Sequence, residues 1–464
     1  MKYKNLWDNA SVLEATGGKV YGKWDASCIS IDSRNVKPGD IFVAIKGNKV
    51  DGHDFVLDIV KTVSAVMVER IPKGCDPKIH NIIVVDDTLE ALRNLAIFHK
   101  KRCKAKIIAV TGSLGKTSTK EQLKLAFSEI GKTYSSEGNY NSQITAPISL
   151  ALMPFDAEFG IFELGMSYPK EMALLAKIFT PDLSIITTVE AVHLENFPSV
   201  EGIAKAKAEI FSGMHSSGIA VLNGDNLFLK ILEEEAKKNG ITKILKFGEK
   251  ESNDAFLISY KSDNYGAYIR ANILNEKIEY TMPSQGKHHA INSLSALLSA
   301  RALGLDVQKA ALGLKKFTNV KGRGLIKEVL LKDKKKITLI DDSYNASVLS
   351  IKAALDVISK NNGSKRKIII LADMYELGES AIKAHKSLLG AIENSSVDKV
   401  VSVGPLMKEL FDILPSRLRL HHFDNYSDTI KNIDKLLEDS DCVLVKGSFG
   451  TKIHKLINYL EGEE

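Results

Sequence analysis

Cysteine is scarce in this 464-residue chain, and its four occurrences, Cys28, Cys75, Cys103 and Cys442, lie far apart. With no C-x-x-C pair there is neither a disulfide framework nor zinc-ribbon spacing, and reduced thiols in a cytoplasmic protein are what this usage implies. Long apolar runs are missing too. No stretch approaches the ~18 apolar residues of a membrane span, and the opening MKYKNLWDNAS is polar where a secretory leader is apolar. A soluble, cytoplasmic chain without membrane insertion is therefore expected. Charge of one sign is not concentrated either. The net charge is +6, and the short clusters Lys100-Lys101-Arg102 and Lys332 to Lys336 have no interleaved aromatics. They read as solvated faces, and nucleic acid is not an expected partner. Internal repeats and low-complexity tracts are likewise absent.

What is present is the composition of an ordinary globular protein. At 44% hydrophobic and 26% charged the chain can bury more than one core, and its length implies two or three domains. Three regions separate. Residues 1–102 mix short strand-like runs, Ile41 to Ile45 and Ala65 to Val68, with turn signals, and end in a helical pattern over Thr88 to Lys101. Residues 103–318 alternate strand-like runs (Ile107–Val110, Phe159–Leu164, Leu183–Val189, Ile219–Leu222) with helical ones, the pattern of βαβ units on a parallel sheet. Residues 319–464 do so again, through Ile337–Ile340, Lys367–Leu371, Lys399–Val403 and Cys442–Val445, which predicts a doubly wound α/β domain.

The most informative segment is KIIAVTGSLGKT, Lys106 to Thr117. An apolar run breaks at Thr111-Gly112 and resumes as a helix at Lys116, the strand, glycine loop and helix of a P-loop. Backbone N–H groups of such a loop face a phosphate, with Lys116 as a point charge and Thr117 as a Mg²⁺ ligand. Position 110 is valine where the long G-x-x-x-x-G-K-[ST] form has glycine, so the match is to the shorter T-G-x-x-G-K-T form. ATP or GTP is the expected fuel. Glu163, His193 and Asp341-Asp342 stand at the predicted carboxyl ends of strands, where open α/β sheets bind ligands. The Leu183–Val189 run ends in no Walker-B aspartate, which speaks against a motor or transporter ATPase.

These residues together resemble the Mur ligase family of bacterial cell-wall synthesis. The resemblance runs through Asp32-Ser33-Arg34, Pro38 to Ala44, Asp51-Gly52-His53, TGSLGKTS, Gly138-Asn139-Tyr140-Asn141, Glu163-Leu164-Gly165-Met166, His193-Leu194-Glu195, Gly322-Arg323, Asp341 to Ala346, Leu371 to Gly378 and Lys446-Gly447-Ser448. It implies a three-domain α/β architecture: a UDP-sugar-peptide domain over 1–102, a central P-loop parallel-sheet domain over 103–318, and a doubly wound C-terminal domain for the amino substrate over 319–464. GNYN and DDSYNA resemble the branch that adds a dipeptide, and the D-N-P-R segment with which many diaminopimelate-adding members read their substrate is absent. The implied reaction joins D-alanyl-D-alanine to UDP-N-acetylmuramoyl-tripeptide through an acyl phosphate, with ATP and Mg²⁺, in a monomer whose domains close over the site.

The resemblance also implies roles. Gly112, Ser113, Gly115, Lys116, Thr117 and Ser118 would hold the ATP phosphates; Asn292 the adenosine; Arg323 and Asp342 the nucleotide from the other side. Thr117, Glu163 and His193 would be metal ligands. Lys207, rather than Lys205 two residues earlier, would be the carbamylated lysine. Ser33, Arg34, Gly47, Asp51 and His53 would bind the UDP substrate, and Tyr344, Asn345 and Ser448 would lie near the dipeptide or nucleotide. The family pattern has H-N where this chain has His288-His289, which leaves Asn292 as the residue carried over.

Overall fold

A computed structural model describes residues 5–47, 49–192, 194–263, 265–361 and 364–463. It contains three main sheets, one in each region of the chain. The N-terminal sheet has five strands, with Cys28–Ser30, Asp40–Val43, Ala65–Val68 and Ile82–Val84 parallel and Lys19–Val20 antiparallel at the edge. Strands such as Asp40–Val43 and Ala65–Val68 are buried at every position, as the continuous Val/Ile/Ala runs of a sheet covered on both faces require.

The central sheet has nine strands. The P-loop strand Lys106–Thr111 lies between Phe159–Glu163 and Leu183–Ile186, all parallel. The chain moves outward to one side through Thr133–Ser135 and to the other through Ile219–Asn223 and Lys243–Gly248. The P-loop strand therefore sits at the reversal of strand order, the place where such sheets open a crevice. Register does the rest. Glu163 pairs with Val110, and Ile186 with Thr111, so the ends of three strands reach the same level as the glycine loop.

Three further strands, Ala255–Asp263, Gly266–Ile273 and Glu276–Met282, extend this sheet as an antiparallel meander. The reading of purely parallel units passed over them, although alternate burial along Glu276–Met282 is the mark of a half-exposed antiparallel strand. A tight turn at Leu274 and Asn275, both with positive φ, joins the last two. The C-terminal sheet has six strands in which Lys336–Asp342, Cys442–Lys446, Lys367–Ala372, Lys399–Val403 and Arg419–Phe423 are parallel and Leu325–Leu330 adds antiparallel at one edge.

Helix Thr88–Arg102, capped by Asp87, packs the N-terminal sheet's layer onto the central one, and its core is continuous across both. At that seam Trp7 Nε1 donates to Ala151 O at 3.1 Å, and the Arg102 guanidinium lies within 5 Å of the Trp7, Phe98 and Phe155 rings. His99 is fully buried there between Met153 O and Arg102. Across the opposite cleft, Asn139 Nδ2 reaches the Tyr344 hydroxyl at 3.5 Å and the Lys360 ammonium stands 5.6 Å over the Tyr260 ring, so the central and C-terminal regions touch. Among the described residues no helix is long and apolar enough to cross a membrane, and the four cysteines form no disulfide.

Candidate functional site

A cleft of about 1200 Å³ runs between the central and C-terminal sheets. Its floor is the glycine loop. Gly112 has φ +148°, and a Cβ there would run into Thr187 Oγ1; Gly115 has φ +79°, and a Cβ there would crowd Asn292 Nδ2. Both glycines are thus required by backbone shape as well as by approach. The loop is pinned to the neighbouring strand end: Ser113 N–H donates to Thr188 O at 2.8 Å, Leu114 N–H to Thr188 Oγ1 at 3.1 Å, and Glu190 N–H to Ser113 Oγ at 2.9 Å. Helix Lys116–Ser128 starts at once, with Gly115 as its N-cap and no side chain capping it. Its first N–H groups are left for a ligand, and an anion suits them.

The Lys116 ammonium folds back to donate to Gly112 O at 2.7 Å and Ser113 O at 3.4 Å. Burial lowers its pKa, Arg323 lowers it further, and Glu163 acts the other way. At the next residue, Thr117 Oγ1 donates to Glu163 Oε2 at 2.8 Å, and Asn141 Nδ2 donates to Glu163 Oε1 at 2.8 Å. Glu163 is the last residue of its strand and is buried. Two oxygen donors so close, beside a phosphate loop, fit the partial coordination that Mg²⁺ takes from protein when phosphates and water supply the remainder. Among the described residues no cluster of three or more His, Cys, Asp and Glu could form a cage by itself. His193 lies outside the described residues.

Lys207, on helix Val200–Ala208, is buried and lines the same cleft, whereas Lys205 is exposed. Burial, and next the Lys116 charge, push the Lys207 amine well below the lysine range. Asn292, on helix Lys287–Ala302, is buried with its amide against Gly115.

The opposite wall comes from the C-terminal region. The Arg323 guanidinium stacks 4.2 Å over the Tyr344 ring. Asp342, at the end of Lys336–Asp342, accepts from the buried Lys446 ammonium at 2.6 Å, and Lys446 also donates to Asn345 O at 3.0 Å. Desolvation raises the Asp342 pKa while Lys446 counters it. Asp341 turns the other way and holds the turn, accepting from Gly322 N–H at 2.7 Å and Ser343 Oγ at 2.6 Å. Ser448 stands apart from the cleft's lining and accepts from Tyr375 N–H at 2.9 Å.

Ser33, Arg34, Gly47, Asp51 and His53 do not line this cleft. They follow strands Cys28–Ser30 and Asp40–Val43, at the carboxyl edge of the N-terminal sheet. Arg34 is exposed and paired to Asp32 at 2.8 Å. Asp51 caps the short turn Gly52–Phe55, and His53 is engaged at both ring nitrogens, Nδ1 with Asp51 at 2.6 Å and Nε2 with Glu69 N–H at 3.0 Å. His53 thus organises the loop. Residues the site reading passed over are Asn141, which touches Glu163, and Arg93, which lines the cleft from the N-terminal helix. Asn141 was visible only as part of GNYN; Arg93 carried no signal.

Comparison with known proteins gives three family matches along the chain. Family profiles described as Mur ligase family, catalytic domain; Mur ligase middle domain; and Mur ligase, glutamate ligase domain match residues 25–100, 110–300 and 328–449. The UDP-N-acetylmuramoyl-tripeptide–D-alanyl-D-alanine ligase of Rickettsia prowazekii is 35% identical over 457 residues, covering 98% of this chain and 100% of that one. Crystal structure I of MurF from Acinetobacter baumannii superposes with a TM-score of 0.86 at 28% identity, over 98% of this chain and 99% of that one. MurF ligase from Thermotoga maritima, crystallised in complex with ADP, gives 0.79 at 26% identity, over 94% and 97%.

Proposed function

This chain belongs to the Mur ligase family, and we propose that it is an ATP-dependent amide ligase of peptidoglycan synthesis that adds D-alanyl-D-alanine to UDP-N-acetylmuramoyl-tripeptide. The observation that carries the chemistry is the pairing of Thr117 with Glu163 beside Lys116, faced by Arg323 from the other side of one cleft.

A carboxylate is a poor electrophile, so the peptide carboxylate first attacks the γ-phosphorus of ATP and ADP leaves. The amine of the dipeptide then attacks the acyl phosphate, the C–N bond forms, phosphate departs, and the amine gives up a proton. Most of the rate gain in such a sequence comes from positioning and charge neutralisation. The loop N–H groups of Gly112 and Gly115, with Ser118, cradle the phosphates, which Lys116 neutralises, while Ser113 pins the loop to Thr188 and Glu190. Arg323 meets the charge that builds on transfer. Asn292 holds the adenosine beside Gly115, and Asp342 lies on the nucleotide's other side. Thr117 and Glu163 would hold Mg²⁺, which when bound supplies charge neutralisation at the phosphates. His193 is assigned to the metal by the family resemblance alone.

Lys207 has the properties that carbamylation needs. Carbon dioxide attacks a neutral amine, and a buried lysine with depressed basicity offers one. The product is a carboxylate at the rim of the phosphate site, and the proton released goes to solvent. Ser33, Arg34 and Gly47 are assigned to the UDP substrate, with Asp51 and His53 shaping their loop. Tyr344 and Asn345 stand beside the amine's approach. The enzyme is read as a cytoplasmic monomer divided into units over 1–102, 103–318 and 319–464.

Phosphate release with ATP, Mg²⁺ and UDP-N-acetylmuramoyl-tripeptide tests this directly as the amine is varied. Turnover with D-alanyl-D-alanine alone is expected. Turnover with diaminopimelate or lysine on a dipeptide precursor would overturn the assignment of substrate.

A further inference from the structure

Lys120 is 1% exposed, although it lies only one turn into the P-loop helix. A buried ammonium is costly unless it is paired and hydrogen-bonded. Here Nζ donates to Ser136 O at 2.7 Å and Gly138 O at 3.2 Å, and pairs with Glu121 Oε1 at 3.1 Å. The two carbonyls belong to one loop, which leaves strand Thr133–Ser135 and turns at Gly138, φ +51°. The next three side chains of that loop go three ways. Asn139 reaches Tyr344 of the C-terminal region at 3.5 Å. Burial raises the Tyr140 pKa, and Cys28 and Asp32 of the N-terminal region raise it further. Asn141 donates to Glu163 at 2.8 Å, and its own carbonyl accepts from Gly165 N–H at 2.8 Å.

We propose that Lys120 is a positioning residue for the ligase reaction: it locks the loop over 136–141 to the P-loop helix, so that the nucleotide, sugar-peptide and amine sides of the enzyme are held in one register. The proposal rests on the function given above and adds the element that couples its three parts. Nucleotide binding at the head of the helix and closure against Tyr344 then share a single rigid connection.

The test is Lys120→Met in the full chain, which keeps length and apolar bulk and removes every donor. The amides of 136–141 should exchange with deuterium faster, while a fluorescent ATP analogue binds within about threefold of the parent. KM should rise for both the UDP-sugar peptide and the dipeptide, with kcat/KM down about tenfold or more. Lys120→Arg should recover part of this loss. If Lys120→Met does not fold, Asn139→Ala and Tyr140→Ala carry the test from partly or fully exposed positions: the first should raise KM for the dipeptide alone, the second for the UDP-sugar peptide alone. Unchanged exchange over 136–141, or kinetic constants per folded molecule within about twofold of the parent, would overturn the proposal. Exchange needs no turnover, so failure of the parent enzyme to act on these substrates would strike the proposed function and leave this reading to be judged on its own.

Discussion

Thr117 and Glu163 stand 46 residues apart in sequence and meet at 2.8 Å, hydroxyl to carboxylate, at the head of the P-loop helix. The contact exists because Glu163 is in register with Val110 on the neighbouring strand and the glycine loop turns Thr117 back over the sheet. It brings two oxygen ligands to one point while Asn141 holds the second carboxylate oxygen.

Glu163→Gln should lower kcat by about 10²–10³-fold, the loss usual when a preorganised electrostatic group is removed, and should raise the Mg²⁺ concentration needed for half-maximal rate. Thr117→Ala should act in the same direction and more weakly. A Mg²⁺ titration of phosphate release reads both, and an unaltered titration curve in Glu163→Gln would remove that residue from the metal.

Lys207→Ala should abolish turnover, with formate or acetate restoring part of it, while Lys205→Ala leaves it intact because that side chain is exposed. Labelled bicarbonate should give a carbamate ¹³C signal in the parent that Lys207→Ala lacks. The sign of the linkage also follows. As a free amine Lys207 binds fewer protons folded than unfolded, so it costs stability at neutral pH and the cost fades as pH rises toward the lysine range. Full activity in Lys207→Ala would end the carbamate reading.

His99 predicts an acid limb in stability. Buried between Met153 O and Arg102 it is held neutral, Nε2–H donating and Nδ1 accepting, and burial lowers its pKa from 6.5 to about 4. The unfolded chain binds a proton below 6.5 that the folded one refuses until about 4, so stability falls with pH across that window, by up to ~3 kcal/mol. Urea midpoints for the parent and for His99→Gln, compared between neutral and acid pH, check this. Equal pH slopes in the two proteins would show that His99 is not the group.

Lys446→Met should destabilise the C-terminal region by roughly 3 kcal/mol, because the Asp342 carboxylate would lose its partner in a poorly solvated place. The double variant Lys446→Met with Asp342→Asn should regain much of the loss. Denaturant unfolding measures both. An additive pair of effects would mean that the 2.6 Å contact contributes nothing of its own.

Much of the fold was legible because its signals are local. The runs Ile107–Val110, Lys367–Leu371 and Cys442–Val445 fall inside observed strands, and the helical pattern over Thr88 to Lys101 is the observed Thr88–Arg102. The apolar run Leu183–Val189 overshot. Its strand stops at Ile186, because the Thr187 N–H and the Thr188 carbonyl turn to bond the P-loop strand and loop. In the antiparallel meander over 255–282 the last two strands alternate, Gly266–Ile273 and Glu276–Met282, while the first, Ala255–Asp263, does not.

The P-loop, the α/β class and the family resemblance were all readable from the chain, since glycines three residues apart, strand periodicity and ordered motifs are properties of near neighbours. Tertiary structure decided which of Lys205 and Lys207 is buried, that Glu163 meets Thr117, that His53 serves its own loop, and that Lys120 grips the loop over 136–141. Each depends on strand register or on burial by distant chain. Neither is encoded in any short window, because both arise from which surfaces exclude water once the sheets have packed.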